Sequence, residues 1–515
     1  MTGRERPGGP GGGPAGGMPS SADHGAPVDS PVVPSLTTDQ RAALDAALAT
    51  GRQVKRLTES FAEAGHELYL VGGSVRDALL GRMGNDLDFT TSARPDEIES
   101  LVRAVTGAVW DVGRDFGTIA CRVTERDGSD WLVEITTFRA DAYDPSSRKP
   151  EVRFGDHLGG DLVRRDFTVN AMALDVTTGE LLDPFGGIAD LDAMLLRTPS
   201  APEISFSDDP LRMMRAARFS SQLGFRPTPD VVAAMTADAE RIRIISAERI
   251  RDELSKLLMT DNPRPGLDLL VSTGLADIVL PELPALRMER DEHNRHKDVY
   301  EHTLTVIEQA IELERARGHA PDLVLRLAAL FHDVGKPATR RFEAGGKVSF
   351  HHHDVVGAKL TRQRMQTLHF STDETKTVAK LVELHLRFHG YGEGNWTDSA
   401  VRRYVRDAGD QLERLHILTR ADCTTRNVRK AQRLARAYEE LEFRIDELRS
   451  QEELDAIRPD LDGTQIMAVL GIGPGREVGA AYAFLMERRM EAGPLGEARA
   501  REELLSWWAE RTANG

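Results

Sequence analysis

The feature that most constrains the fold is a short segment built around Gly72 and Gly73. The apolar run Leu68–Val71 predicts a β-strand, and the two glycines directly after it let the chain turn sharply. From Ser74 onward the spacing is helical, so the turn should present backbone N–H groups at a helix N-terminus. Such a terminus favours a polyphosphate, with which Arg76 could pair from one turn into the helix.

Two carboxylates follow on the next predicted strand, within Asn85–Thr91. Asp86 and Asp88 are two residues apart, so on a strand they point to one face and can share a divalent ion or ion pair. Hard oxygen ligands beside a phosphate cradle suit Mg²⁺-dependent phosphoryl or nucleotidyl transfer. A later predicted strand carries Glu134, which is either a third carboxylate beside the pair or an exposed strand residue. The sequence leaves both interpretations open.

A glycine turn or an acidic turn alone would indicate little. Together, in this order and at this spacing, they resemble the head signature of the class II nucleotidyltransferases, which include the tRNA CCA-adding enzymes and the bacterial poly(A) polymerases. The resemblance implies that Asp86 and Asp88 are catalytic and hold Mg²⁺, and that Gly73 and Arg76 bind the nucleotide.

Length and composition limit the function classes. At 515 residues the chain should contain several domains, because one core rarely grows past about 250–300 residues. The net charge of −16 provides no global basic field, so any RNA contact must come from local patches. The two cysteines, Cys121 and Cys423, lie far apart and indicate a reducing compartment rather than disulfides. No apolar stretch suits a signal peptide or a membrane span, which predicts a cytoplasmic protein without a membrane partner.

The resemblance extends to Arg164-Arg165-Asp166, which could otherwise be a simple ion-pair set on a helix. In the family this motif closes the nucleotide site, and Arg165 matches a position that contacts the bound nucleotide. The polar loop 140–150 occupies the place of a mobile loop that helps A-adding members to remodel the nucleotide pocket. Its presence favours A addition.

A second motif begins with Ser207 and continues through Asp209, Arg212, Arg215 and Arg218. Ser207 and the proline after it predict a helix start, with the acidic and basic side chains on one face. A surface ion-pair ladder is one interpretation. The other is base reading, because a carboxylate beside a guanidinium complements the amino group and ring nitrogen of cytosine or adenine but mispairs with uracil or guanine. In the family such an element selects the base through the residues matching Asp209 and Arg212. Arg215 and Arg218 would then contact phosphate or orient the base-reading residues.

Twelve of the fifteen histidines lie between residues 293 and 416. Their order with two aspartates on separate helices resembles the HD metal-dependent phosphohydrolase superfamily, and imidazoles with carboxylates suit a transition metal or Mg²⁺. His353 and His385 could hold a second metal or bind phosphate. The resemblance implies a divalent metal of unspecified identity held by His302, His332, Asp333 and Asp422.

The expected fold is α+β and multidomain, with a mixed-sheet nucleotidyltransferase palm at the N-terminal end and an all-α neck and body that includes an HD domain. The expected segments are a disordered tail (1–37), the head (38–190), a neck for base recognition and RNA binding (191–285), the HD domain (286–430) and a helical tRNA-binding region (431–515).

The first hypothesis is template-independent addition of the 3′-terminal CCA to tRNA from CTP and ATP, with Mg²⁺ in the head and release of pyrophosphate. Alternatives in the same chemistry are a poly(A) polymerase and an enzyme that adds only C or only A. The acidic residue in Gly113–Thr118 argues against the polymerase, which tends to carry a basic residue there. A different class is an HD phosphohydrolase acting on RNA ends or nucleotides, and another is an inactive RNA-binding module.

Overall fold

The structure is a computed structural model that describes residues 33–49, 51–114, 117–139, 154–155, 157–287, 298–344, 348–390, 396–425, 427–452 and 458–513. Most of the tail predicted over 1–37 and the whole loop predicted over 140–150 lie outside these ranges. The chain forms two compact units. The first, called the head unit, contains Met1–Ala140, Val152–Val163 and Asn170–Ile188; the second, called the helical unit, contains Asp141–Glu151, Arg164–Val169 and Ala189–Gly515.

A mixed sheet forms the centre of the head unit. Its strands are β1 (Leu68–Val71), β2 (Asp86–Thr91), β3 (Val109–Gly113), β4 (Thr118–Thr124), β5 (Asp130–Thr137), β6 (Ala173–Asp175) and β7 (Leu181–Leu182). They lie in the order β3-β4-β5-β2-β1-β6-β7, and β2 pairs parallel to β5 but antiparallel to β1. The first helices of the chain are α1 (Thr38–Leu48), α2 (Arg52–Glu63), α3 (Gly73–Leu79), α4 (Pro95–Arg103), α5 (Leu158–Val163) and α6 (Gly187–Asp192).

The sequence pattern over 39–64 predicts one continuous amphipathic helix, and the structure corrects this. The chain leaves helix α1 after Leu48 and enters α2 at Arg52. The predicted apolar face is nevertheless buried on both helices, with Leu44 and Phe61 at 0 % exposure, in one core with sheet residues such as Val133. Burial of the face therefore does not require one unbroken helix.

The helical unit contains short strand pairs, β8 (Leu195–Leu196) with β9 (Arg226–Pro227) and β10 (Arg341–Phe342) with β11 (Val348–Ser349). Its helices are α7 (Pro202–Asp208), α8 (Leu211–Gln222), α9 (Pro229–Ala237), α10 (Ala247–Leu258), α11 (Arg264–Ser272), α12 (Leu275–Val279), α13 (Val299–Ala316), α14 (Leu323–Phe331), α15 (Lys336–Thr339), α16 (His353–Thr367), α17 (Thr372–Leu384), α18 (Asp398–Ala408), α19 (Leu412–Ala421), α20 (Val428–Glu452), α21 (Gly463–Leu470), α22 (Arg476–Ala492) and α23 (Glu497–Ala513).

Two groups of packed helices position the candidate site residues of this unit. Helix α8 packs against α10 and α11, and the approach is so close that a Cβ on Gly266 would lie 2.3 Å from the carbonyl oxygen of Ala217. Helix α14 packs against α13, α17 and α19, and α16 packs against α17.

The predicted fold class, a mixed sheet followed by a largely helical remainder, is confirmed. Within the described ranges, every helix is too short or too polar to cross a membrane.

Candidate functional site

The glycine turn has the predicted form. Strand β1 ends at Val71, Gly72 adopts φ +67°, and α3 begins at Gly73. A positive φ at this position favours glycine over residues with a Cβ. The Ser74 hydroxyl donates to the carbonyl oxygen of Asp86 at 3.2 Å and accepts from the Asp88 N–H at 3.0 Å. Ser74 therefore fastens the start of the acidic strand to the N-terminus of α3, a link that the sequence alone did not reveal.

Three carboxylates meet on neighbouring strands of the head unit. Asp86 and Asp88 occupy alternate positions of β2, and Asp88 is the register partner of Glu134 on the parallel strand β5. Burial raises the pKa of Glu134, and the charges of Asp88 and Asp86 raise it further. Glu134 is therefore a third carboxylate beside the pair and not an isolated strand residue. Clustered carboxylate oxygens are the ligand set that Mg²⁺ prefers.

Replacing Glu134 with glutamine should raise the melting temperature of the metal-free protein by a few degrees at pH 7.5. A carboxyl whose pKa is raised by folding destabilises the folded state above that pKa, and the effect fades as pH falls below its ordinary value of 4.5. The gain in melting temperature from Glu134→Gln should therefore disappear near pH 4. Scanning calorimetry of the wild type and the variant, with chelator present and between pH 4 and pH 7.5, measures this gain.

The matched control is Glu180→Gln, which removes an exposed carboxylate of the same unit. Equal gains for the two variants at pH 7.5, or a gain for Glu134→Gln that persists at pH 4, would contradict the carboxylate cluster.

Arg76 lies in the same unit and is 4 % exposed. Its Nε and Nη2 donate to the two carboxylate oxygens of Asp77 at 2.9 and 2.7 Å, and its Nη1 donates to Asn170 Oδ1 at 2.6 Å. The predicted nucleotide-binding arginine is thus held in one orientation by a carboxylate and an amide. Asn170, four residues after Asp166 in the sequence, therefore has a structural role in holding Arg76.

The helix that carries the base-reader residues of the helical unit begins later in the chain than predicted. Ser207 belongs to the last turn of the preceding helix α7, and α8 starts at Leu211. Asp209 lies between the helices, where its Oδ1 accepts from the Leu211 N–H at 3.1 Å and its Oδ2 accepts from Arg249 Nη2 at 2.9 Å. The prediction that Ser207 starts the helix is wrong, because two helices adjoin here and the carboxylate of Asp209 receives the first N–H of α8.

The arginines of α8 do not form a surface ladder. Arg212 and Arg218 are 6 % and 8 % exposed. Arg212 donates to Ser205 Oγ at 2.8 Å and to the Arg164 carbonyl oxygen. Arg218 donates to Glu253 Oε2 at 2.7 Å.

Arg215 lies between these two and binds Asp166 Oδ2 through Nε at 2.7 Å. Its Nη1 also lies 3.9 Å from Glu253 Oε1. Asp166 and Glu253 therefore brace the helix from the Arg164–Val169 segment and from α10. Arg165 lies half-buried in that same segment. The sequence gave no indication that Glu253 makes these contacts.

The predicted metal ligands converge within the helical unit. His302 lies on α13, His332 and Asp333 follow directly after α14, and Asp422 follows α19. His302 Nε2 is 2.9 Å from Asp422 Oδ1, 3.3 Å from His332 Nε2 and 3.5 Å from Asp333 Oδ2. The structure brings all four predicted residues together.

Two further histidines reach the same cluster. His353, the first residue of α16, places Nε2 3.4 Å from Asp333 Oδ1, and His385 follows α17 with its ring centroid 5.3 Å from that of His353. A Cβ on Gly335 would lie 2.0 Å from the carbonyl oxygen of His353, so a glycine is required for this approach. Asp333, His353 and His385 place one ligand atom each within 4.8 Å of one another, as do His302, His332 and Asp422.

The charges of this cluster perturb its pKa values. Burial raises the pKa of Asp333, but His332 and Lys336 outweigh burial and hold it well below the ordinary range. Burial likewise lowers the pKa of His332, but Asp333 outweighs it and raises the pKa overall. Burial lowers the pKa of His385 to about 4, which keeps that imidazole neutral and able to bind a metal.

Three family models match successive parts of this chain. They are the "Poly A polymerase head domain" over 68–197, the "Probable RNA and SrmB- binding site of polymerase A" over 224–286 and the "HD domain" over 299–427. The class they define is a nucleotidyltransferase head followed by an RNA-binding segment and an HD domain.

A relative that aligns over most of the chain is the A-adding tRNA nucleotidyltransferase of Deinococcus radiodurans. It is 36 % identical over 456 residues, which cover 86 % of this chain and 96 % of the relative. The chain therefore belongs to the family of tRNA nucleotidyltransferases and poly(A) polymerases. The CCA-adding enzyme of Bacillus velezensis is 43 % identical over 225 residues, 44 % of this chain, and the match spans only 53 % of that enzyme.

Solved structures share the fold. The Bacillus stearothermophilus CCA-adding enzyme in complex with CTP superposes with a TM-score of 0.63 at 24 % identity, covering 93 % of this chain and all of that one. The Thermotoga maritima CCA-adding enzyme complexed with tRNA superposes with a TM-score of 0.56 at 18 % identity. This match covers 90 % of this chain and 98 % of that one. These similarities establish the architecture, and the predicted family resemblance is confirmed.

Proposed function

We propose that this protein adds the 3′-terminal CCA to tRNA from CTP and ATP, without a nucleic-acid template and with release of pyrophosphate. The main support is the carboxylate cluster of Asp86, Asp88 and Glu134, which Ser74 fastens to the glycine turn of the head unit. Family membership supports the substrate class, because a relative that aligns over 86 % of the chain is named an A-adding tRNA nucleotidyltransferase and one that aligns over 44 % is named a CCA-adding enzyme.

In this proposal Asp86 and Asp88 hold Mg²⁺, with Glu134 completing the set. When bound, the ion activates the 3′-hydroxyl of the tRNA and neutralises charge on the triphosphate. Gly73 presents its N–H to the nucleotide phosphates at the start of α3, and the fixed guanidinium of Arg76 contributes positive charge there.

The helical unit would provide base selection and RNA binding. Asp209 and Arg212 would read the base, and Arg165 would contact the bound nucleotide. The ion pairs of Arg215 with Asp166 and of Arg218 with Glu253 favour an orienting role for these two arginines. The neck over 191–285 would bind RNA. The region 431–515, in which Gly475 precedes helix α22, would bind the body of the tRNA.

Replacing Asp209 with alanine should relax the choice of nucleotide. A matched pair of hydrogen bonds to a base is worth about 1–3 kcal/mol of discrimination, so the preference for CTP over UTP should fall by roughly ten- to a hundredfold. Competition kinetics with both nucleotides measures the ratio. Asp252→Ala, which removes an exposed carboxylate on α10, is the control and should leave the ratio unchanged. An unchanged ratio in Asp209→Ala would contradict base reading by this residue.

Addition of A alone is a second candidate, favoured because a relative that aligns over 86 % of the chain is named an A-adding tRNA nucleotidyltransferase. Two acceptors separate the candidates: a tRNA that ends before the CCA and a tRNA that ends in CC. Each is incubated with Mg²⁺ and with CTP, ATP or both, and the products are sized at single-nucleotide resolution.

CCA addition predicts extension of the first acceptor by three nucleotides and of the second by one, with a stop after each. Extension of only the CC-ending acceptor would replace the proposal with A addition. A stop after CC would indicate a C-adding enzyme, and a long A ladder a poly(A) polymerase.

A separate hydrolase activity at phosphate esters of RNA ends or nucleotides is favoured by the cluster around His332 and Asp333. Four histidines and two aspartates that converge in a buried site are suited to a divalent metal that activates water. His332→Ala should abolish hydrolysis of such esters and leave nucleotide incorporation unchanged. Asp86→Ala should abolish nucleotide incorporation and leave the hydrolysis unchanged. Retained hydrolysis in His332→Ala would contradict this second activity.

A further inference from the structure

The first half of helix α20 carries a basic surface in an otherwise acidic protein. Residues 427–438 contain four basic side chains and no acidic one, although the whole chain has a net charge of −16. All four are exposed, and together they are called the basic surface: Arg429, Lys430, Arg433 and Arg436. Among the described residues, none of these side chains has a hydrogen bond or an ion pair. The positive charge is therefore available to a partner.

The three arginines of the basic surface repel one another along the helix. Arg429, Arg433 and Arg436 follow each other at intervals of four and three residues, so they lie on one face over about 10 Å. Like charges at this spacing destabilise a helix. Further along α20 the charges are paired, because Arg444 Nη2 lies 2.5 Å from Asp398 Oδ1. A row of unpaired cations in one half of the helix favours an extended anionic partner over a single phosphate ion.

The basic surface lies beside the end of α19 that contributes to the cluster around His332 and Asp333. Tyr438 Oη donates to the Thr419 carbonyl oxygen at 2.5 Å, and Glu442 Oε1 lies 3.8 Å from His416 Nδ1. Helices α19 and α20 therefore run antiparallel. The basic surface comes before Tyr438 on α20, whereas Asp422 of the cluster follows the last residue of α19. The basic surface thus begins near the level of Asp422 and continues past the end of α19.

The same edge of the cluster is open to solvent. The side chains of His302 and Asp422 are 12 % and 11 % exposed, and that of His353 is 10 % exposed, whereas the other members of the cluster are at most 2 % exposed. Thr424 lies in the segment that joins Asp422 to α20, and its hydroxyl oxygen is 2.8 Å from His302 Nδ1. The edge formed by His302 and Asp422 is therefore both accessible and connected to the start of α20.

We propose that the basic surface of α20 binds the phosphate backbone of an RNA strand whose phosphate-bearing end enters this cluster. The inference rests on the hydrolase candidate and narrows its substrate from nucleotides in general to the ends of RNA strands. Three of the four cations are guanidinium groups, which bind phosphate through paired N–H donors. RNA is the favoured polyanion because the RNA-binding family match over 224–286 belongs to the same unit.

The reaction at the cluster would consume one water molecule. The water oxygen bonds to the phosphorus of the terminal phosphate ester, and the bond between that phosphorus and the ribose oxygen breaks. The ribose oxygen takes up a proton and stays on the RNA as a hydroxyl, while inorganic phosphate leaves. A free nucleotide carries the same ester but lacks the neighbouring phosphates. The basic surface should therefore increase the affinity for RNA without altering the chemistry at the ester.

RNA binding in the presence of chelator tests the basic surface without relying on any activity. A short single-stranded RNA with a 3′-phosphate and a 5′ fluorescent label is titrated with the full chain, and fluorescence anisotropy gives Kd at several salt concentrations. The triple variant Arg429→Gln/Arg433→Gln/Arg436→Gln should bind roughly tenfold or more weakly at low salt. The slope of log K against log salt should also become shallower by about 2, since each phosphate contact in a single strand contributes about 0.7.

The matched control is Arg52→Gln/Arg56→Gln/Arg126→Gln, which removes three exposed arginines of the head unit. Both triple variants lose the same charge, so an effect of net charge alone would be equal in the two. The control should keep the wild-type Kd and slope. A wild-type slope in the α20 variant, or displacement of the RNA by an equal charge of polyglutamate, would overturn the proposal.

Hydrolysis with Mn²⁺ tests whether the RNA end enters the cluster. The value of kcat/KM is compared between the 3′-phosphorylated RNA and a nucleoside 3′-monophosphate. The wild type should favour the RNA by roughly tenfold or more, and the α20 variant should lower kcat/KM for the RNA to the value for the nucleotide. An RNA preference that is absent in the wild type, or retained in the α20 variant, would overturn the proposal. Hydrolysis of neither substrate, with the expected change in slope, would contradict the hydrolase candidate and preserve RNA binding by the basic surface alone.

Discussion

Replacing Asp86 with asparagine should lower nucleotide incorporation into tRNA by roughly 10²–10⁴-fold. Asp86 and Asp88 are proposed to hold the ion that stabilises charge at the reacting phosphate, a contribution of several kcal/mol, and each 1.36 kcal/mol corresponds to a tenfold change in rate. The asparagine keeps the size of the side chain at the exposed first position of strand β2. Single-turnover extension of tRNA with labelled CTP measures the rate.

Asp96→Asn is the control, since Asp96 is a 91 % exposed aspartate of the head unit that pairs with Arg114. It should extend tRNA at the wild-type rate. The melting temperature of Asp86→Asn should equal or exceed that of the wild type, because one of three clustered carboxylates is removed. Incorporation within tenfold of wild type in a folded Asp86→Asn protein would show that the catalytic carboxylates lie elsewhere.

Replacing Arg326 with methionine should destabilise the helical unit by about 3–5 kcal/mol, the cost of breaking one side of a buried ion pair. Arg326 and Glu314 have side chains that are 2 % and 3 % exposed, and Arg326 Nη2 lies 2.9 Å from Glu314 Oε2. Arg326 Nη1 also donates to the carbonyl oxygens of Leu258 and Thr260 at 2.7 and 2.9 Å, at the end of α10. Without Arg326, a buried carboxylate and two carbonyls lose their partner.

The loss should appear as a fall in melting temperature of roughly 4–7 °C, measured by differential scanning calorimetry. Arg315→Met is the matched control, because Arg315 is 65 % exposed and its partner Asp261 is 87 % exposed, and such surface pairs contribute about 0–1 kcal/mol. The double variant Arg326→Met/Glu314→Leu should recover part of the loss, because no buried charge remains unpaired. Equal melting temperatures for the two single arginine variants would contradict the buried ion pair.

Local patterns predicted the elements that carry the head chemistry. Strand β1, the glycine turn and helix α3 are encoded in one short run of residues, and the alternation of Asp86 and Asp88 requires only that the segment be a strand. Helix boundaries were predicted less well. Ser207 has the residue type of a helix start, but it lies at the end of the adjoining helix α7. The apolar pattern over 39–64 continues through both α1 and α2, so it does not indicate where the first helix ends and the second begins.

Contacts between distant segments could not be predicted from the sequence. Ser74 with Asp86 and Asp88, Arg218 with Glu253, and Arg326 with Glu314 all depend on how separate elements pack. The same holds for Glu134, whose proximity to the aspartates follows from the parallel register of β2 and β5. The type of a residue indicates that it needs a partner, but only the fold determines which residue is that partner.

The histidine and aspartate cluster of the helical unit could be predicted in part from the sequence, and the rest depends on packing. The order of His302, His332-Asp333 and Asp422 was sufficient to predict a metal site. The contact of His353 with Asp333 depends on the packing of α14 and α16 and was visible only in the structure.

The central claim, template-independent addition of CCA to tRNA, is tested most directly by sequencing the 3′ ends that the protein makes. A tRNA that ends before its CCA is incubated with the full chain, Mg²⁺ and all four nucleoside triphosphates at equal concentration. The predicted result is CCA on nearly every extended molecule, with no U or G and no nucleotide beyond the terminal A. Ends without any addition, or extensions that contain U or G, would contradict the claim.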